Sequence, residues 1–212
     1  MTTLLRMELL KLLKRPMTWI LAILLHGGIG FIAVVTILEL RNAPPDEYER
    51  ILQSLSLMRI LPGTTEFIAI FGAIMLAILT ASAIGSEYGW GTLRPLLATG
   101  IPRGRFLAAK LLALALVAAA FVVGPLAMNA ALAVPVALAN DRPVLPVAVD
   151  AAWLGDLAAM IGRTYLVVAA SALVAFLVGL LGRSQAAGIG TALGIMLGEQ
   201  LVAALILSLN PP

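Results

Sequence analysis

The 212 residues include no cysteine, a single histidine (His26) and only three lysines (Lys11, Lys14 and Lys110), and charged residues make up just 12% of the chain. Each shortage excludes something. Without thiols there is no disulfide framework, thiolate metal site or cysteine nucleophile. A lone histidine argues against an imidazole-based zinc site or a catalytic triad. No lysine follows a glycine, as a Walker A phosphate loop requires. Ser86 (in IGSEYG) and Ser184 (in GRSQ) both lack the setting of an intramembrane serine nucleophile. Catalytic and metal-ligating residues are therefore assigned to none of these positions. Charge at half the usual share accompanies 61% apolar residues, where a soluble domain has about 45–50%. That is more apolar surface than a globule of this size can bury, and the surplus must face lipid. The chain reads as an all-α integral membrane protein.

What is present is a series of long apolar runs. Spans are predicted over 17–38, 66–86, 106–134, 157–181 and 187–209, five in all. The third is a single long helix bent near Pro125 and ending before Pro135, with Lys110 snorkelling to the interface. Ahead of them, residues 1–15 form a basic amphipathic helix, with Glu8, Lys11, Lys14 and Arg15 on one face and Leu5, Leu9, Leu12 and Leu13 opposite. Such a helix lies flat among lipid headgroups. Pro16 turns the chain before the first span, which is too long for a signal-peptide core and has no A-x-A cleavage site. In the polar stretch 39–65, Asp46 is expected to N-cap a short interfacial helix, with Glu49 three residues on. The whole chain makes one membrane domain. Its odd span count, ending at Asn-Pro-Pro, leads us to expect a sixth span beyond residue 212.

Charge by side gives the orientation. The N-terminus, the 87–110 segment and the 182–187 turn together carry a net +7, whereas the opposite side carries a net −3. The first group is therefore placed in the cytoplasm by the positive-inside rule. The basic isoelectric point of 9.7 follows from that bias and does not mark a nucleic-acid surface.

Three ionisable residues are singled out within the spans. His26 sits beside Gly27 and Gly28, Arg163 lies a turn or two inside the fourth span, and Glu199 is near the middle of the fifth. They are candidates for a translocation path, since ionisable groups at membrane depth mark functional routes. The alternative for each is a structural hydrogen bond. A direct Arg163–Glu199 pair is disfavoured by their different distances from the intervening turn and by the tilt of helical side chains toward their own N-terminus. Gly190, Gly194 and Gly198 form overlapping G-x-x-x-G steps suited to close helix packing.

The richest segment is 87–110: Glu87 closes a span, Gly91-Thr92-Leu93-Arg94 follows, then Leu96 and Leu97, then Pro102-Arg103-Gly104-Arg105, and Lys110 opens the next span. A loop meant only for water has no use for an apolar centre between basic ends, so it is expected to dock on a partner or on the membrane. This stretch resembles the coupling-helix segment of ABC-transporter permeases of the type-2 exporter class, with a pattern near E-x-x-x-G-T-L-x-x-L-L followed by an arginine and a lysine. Pro95 and Pro102 depart from that pattern. The basic N-terminal helix is similar to the family's elbow helix. The resemblance implies a permease subunit that binds no ATP itself, paired with a second permease subunit and with cytoplasmic ABC ATPase subunits that hold ATP and magnesium. It further implies that Glu87, Gly91, Thr92, Leu93, Arg94, Leu96, Leu97, Arg103 and Arg105 couple the subunit to the ATPase. By the same resemblance the chain resides in a prokaryotic plasma membrane, N-terminus inside, and exports a hydrophobic or amphipathic cargo (drug, lipid or peptide). The alternatives are a substrate-capture subunit of a vitamin-type importer and a structural membrane subunit of a larger complex.

Overall fold

The computed structural model describes residues 1–89, 91, 102–143 and 150–209. Helices account for nearly all of them. Helix α1 covers Thr2–Leu13, α2 Pro16–Asn42, α3 Pro45–Ser54 and α4 Leu57–Phe67. A π-helical turn, Ile68–Gly72, joins α4 to α5 (Ala73–Gly89), and α6 (Arg103–Ala139), α7 (Ala151–Leu181) and α8 (Gln185–Leu209) follow. Four helical runs, α2, the continuous 57–89 helix, α6 and α7, are long and apolar enough to cross a membrane. The expected fifth span falls on α8, which is not among these four.

Several boundaries differ from the sequence reading, each for a local reason. The second span starts at Leu57 rather than near Glu66, because Thr64 and Thr65 satisfy their hydroxyls on the carbonyls of Ile60 and Pro62 and so stay helical. Helix α6 does not stop before Pro135; its last turn continues to Ala139 and packs Val136 against Leu40, Leu52 and Leu55. The fourth span begins at Ala151, where the Asp150 carboxylate accepts the Trp153 amide as an N-cap. Asp46 is not a cap: Pro44 occupies that position, and Asp46 and Glu47 lie in the first turn, where the helix dipole favours them.

The α1–α2 corner is as expected. Arg15 is extended ahead of Pro16, and the side chains of Thr18 and Trp19 donate to the carbonyls of Leu12 and Leu13 at the end of α1.

Helix α5 packs against α7 and α8 through small residues, Ala77, Ala81, Ala175 and Ala192. The seam is tight. A Cβ at Gly188 would stand 2.7 Å from the Ala175 carbonyl oxygen and 2.8 Å from the Ala81 Cβ, and one at Gly85 would meet the Gln185 backbone at 2.5 Å. Close backbone approach of this kind is what small residues provide in lipid. Helix α6 packs against α1, α2, α4 and α7, and the main core (Leu25, Leu76, Leu79, Val122, Val168 and Phe176 among others) lies between these helices. The two ends of the bundle are then distinct. At one, α1 lies across the end of α5 and the start of α6; at the other, α3 straps the far ends of α2 and α6.

Candidate functional site

The first of these ends contains a group of four charges, of which Glu8, Glu87 and Lys110 are buried and Lys11 is exposed. Helix α1 presents Leu5, Leu9 and Leu12 to the bundle, and Glu8 lies on the edge of that apolar face rather than opposite it, 4% exposed. Its Oε2 accepts from Lys110 Nζ at 2.7 Å and its Oε1 from Lys11 Nζ at 2.6 Å. Lys110 also donates to Glu87 Oε1 at 2.7 Å, and Lys11 stands 3.6 Å from the same oxygen. One ammonium thereby joins α1, the last turn of α5 and the first turns of α6. Lys110 is 4% exposed, with its Nζ 5.3 Å from the centroid of the Phe106 ring, a cation–π distance. It does not snorkel. Inside the bundle two carboxylates give its charge a better environment than the interface would.

Burial raises the Glu8 carboxyl, but the Lys110 ammonium beside it, with help from Lys11, outweighs that and leaves the carboxyl below the usual glutamate value. A second tie runs parallel to the first. Arg15, at the α1–α2 corner, donates to the Ser82 carbonyl at 3.2 Å and to Ser86 Oγ at 2.9 Å, gripping α5 near its negative end.

This ionic knot sits at both roots of the segment singled out in the sequence. Glu87 closes one root and Lys110 opens the other. Of the residues assigned to that segment, Thr92, Leu93, Arg94, Leu96 and Leu97 lie outside the described residues. Gly91 is at φ +65°, a left-handed position that glycine adopts without strain, and its amide donates to the Tyr88 carbonyl. Arg103 and Arg105 are exposed on the first turn of α6. A cleft of about 950 Å³ opens beside the knot, bordered by Glu87, Tyr88, Arg103, Phe106, Leu180 and Arg183.

The remaining candidates are scattered. Arg163 and Glu199 are both exposed on the bundle surface and do not pair with each other. His26 is half-buried, its Nδ1 2.8 Å from the Ala22 carbonyl and its Nε2 packed on Gly124 of α6. Around Gly190, Gly194 and Gly198 a Cβ would meet nothing within 4 Å among the described residues, so the stripe is open there, and the tight glycines of the α5–α7–α8 seam are Gly85, Gly179 and Gly188. Sequence reasoning did not assign Glu8, Lys11, Lys110 or Arg15 to a site. The available signals were a glutamate at the edge of a leucine face and a lone lysine in an apolar run.

A family model described as ABC-2 family transporter protein matches residues 4–199. No curated protein and no solved structure matches the chain.

Proposed function

The chain belongs to the ABC-2 transporter family and is a transmembrane subunit of an ABC transporter, and from that premise we propose that the buried knot transmits the movement of cytoplasmic ATPases into the membrane helices. The family is a transport component and not itself catalytic, so hydrolysis, with its ATP and magnesium, belongs to partner ABC ATPases. The carrying observation is that Lys110 bonds Glu8 and Glu87 together. A push on the 90–101 segment arrives at two roots, α5 and α6, and the knot obliges α1 to move with both. Helix α1 is then the elbow and the knot end faces the cytosol, in line with the positive charge gathered there. Closure of the ATPases opens an outward path for a hydrophobic or amphipathic cargo between two permease subunits, with α8 as a fifth span. Glu199, Arg163 and His26 are path residues in this reading. The open stripe of Gly190, Gly194 and Gly198 receives the second subunit.

The test reconstitutes the subunit with its ABC ATPase in liposomes and reads ATP hydrolysis with and without cargo. Replacing Leu96 and Leu97 together by serine removes two apolar side chains, each worth about 1.5–3 kcal/mol when buried at an interface. The expected result is loss of the ATPase from the complex, with insertion of the permease unaffected. Wild-type binding and coupling by that double mutant would refute the reading. Single cysteines, clean in a cysteine-free chain, check the orientation: one at Thr99 should label only from the cytoplasm and one at Ser54 only from outside.

A further inference from the structure

At the end opposite the knot a second cleft, about 270 Å³, opens between α2, α3 and α4, walled by Ile29, Ile32 and Phe67 and reaching Arg59 at its rim and Asn129 of α6 at its floor. Asn129 is 5% exposed, and its hydrogen bonding is incomplete in a defined way. The single hydroxyl proton of Thr64 goes to the Ile60 carbonyl at 2.6 Å, so Thr64 Oγ1 can only accept from Asn129 Nδ2, also at 2.6 Å. That fixes the amide's orientation and leaves Asn129 Oδ1 buried with no donor among the described residues. A buried acceptor in an apolar bundle calls for a donor. Arg59, exposed at the rim, has no ion-pair partner among the described residues. It stands five residues from Thr64 on α4, which places it about 8 Å nearer the helix end.

We propose that this cleft binds an amphiphile with an anionic group for Arg59, a hydrogen-bond donor (a hydroxyl or an amide N–H) roughly 8 Å deeper for Asn129 Oδ1, and an apolar chain that continues along Ile29 and Phe67. The volume is below that of a site enclosing a drug-sized molecule whole. The cleft therefore holds the polar head and the first part of the chain, and the rest stays in the bilayer. The proposal goes beyond the coupling role and stands apart from it, since binding here needs no ATPase.

The probe is N-dodecanoyl-glycylglycine, in which two extended residues set the carboxylate about 7 Å from the acyl amide N–H. The full chain, carrying Gly63→Cys labelled with a bimane fluorophore, is placed in phosphatidylcholine nanodiscs without ATPase. Gly63 borders the cleft and a side chain there meets nothing within 4 Å. The expected result is a saturable spectral shift. The ester analogue, with oxygen in place of the acyl N–H, and the uncharged terminal amide should each bind about tenfold more weakly. Arg59→Gln should erase the preference for acid over amide, and Asn129→Ala the preference for amide over ester. The two ligand comparisons on otherwise native protein hold even if a variant fails to fold. Adding phosphatidylglycerol fixes the source: competition identifies a bilayer lipid as occupant, no competition a non-lipid amphiphile, and either leaves the proposal standing. Equal binding of all three compounds, unsaturable partitioning, or disulfide crosslinking between two copies of the unlabelled Gly63→Cys variant would overturn it.

Discussion

The two ends of the bundle handle polarity in opposite ways. At the knot end three charges, Glu8, Glu87 and Lys110, are drawn inward, and the three helices they join share one ammonium. At the strap end the charges stay out: Arg142 donates to Glu49 with both side chains about half exposed, and the buried contact is a neutral Asn129–Thr64 pair with one acceptor left over. Ion pairs in low dielectric are strong only as complete sets, and losing one member leaves an uncompensated charge. Exposed pairs are screened and worth little. The proposed roles follow this contrast: one end moves as a unit, and the other yields and accepts a ligand.

The largest expected effect comes from breaking the complete set. Lys110→Met takes away the buried ammonium that Glu8 and Glu87 share and should cost about 3–5 kcal/mol, read as thermal unfolding in detergent. Adding Glu8→Gln and Glu87→Gln to Lys110→Met should recover most of the loss, since neutral amides need no counter-charge. If the triple variant is as unstable as the single one, packing around Lys110 matters and the ionic knot does not.

Gly188→Leu should follow closely. Its new side chain meets the Ala175 carbonyl and Ala81 in the α5–α7–α8 seam, and overpacking of this kind costs about 1–3 kcal/mol or more. Gly194→Leu, on the open stripe, should leave the stability of the single chain unchanged and weaken only association between permease subunits. Equal destabilisation of the isolated chain by both variants would mean that the stripe packs within the subunit.

Acid should remove the Glu8 contribution to the knot. The Glu8 carboxyl lies below the usual glutamate value in the folded chain, so its contribution is present above the unfolded value of about 4.3 and is lost as pH falls through the lower folded one. Unfolding midpoints for wild type and Glu8→Gln should therefore converge below about pH 4. A constant difference down to pH 2 would show that Glu8 stays ionised, or never contributed.

The helices were legible because each apolar run is long enough to span and few residues interrupt it. The errors cluster where polar side chains satisfy themselves locally. Thr64 and Thr65 look like loop residues by composition but bond back to their own helix, and Asp150 starts a helix ahead of its apolar run. Lys110 was misread because an isolated lysine near the end of a span ordinarily snorkels, and its partner Glu8 is 102 residues away. Pairing at that separation leaves no periodic trace. The 87–110 segment was legible as a place where something happens, through its apolar centre and basic ends. The knot beneath it was not, because it depends on how α1 crosses the bundle.

The smallest effect is expected at the strap. Arg142→Gln removes a pair whose members are 51% and 55% exposed, so the charge lost was already hydrated and the glutamate left behind stays hydrated. Such a pair is worth about 0–1 kcal/mol, less at high salt. Helix α3 keeps its other attachments, the Tyr48 hydroxyl on Asn140 Oδ1 and the packing of Leu52 under Val136. The unfolding midpoint should therefore move by little, and the residual difference should vanish when salt is raised. A loss above about 2 kcal/mol that persists in high salt exceeds what an exposed pair contributes. It would mean that the strap is fixed as firmly as the knot, and the contrast between a rigid end and a yielding one would fail.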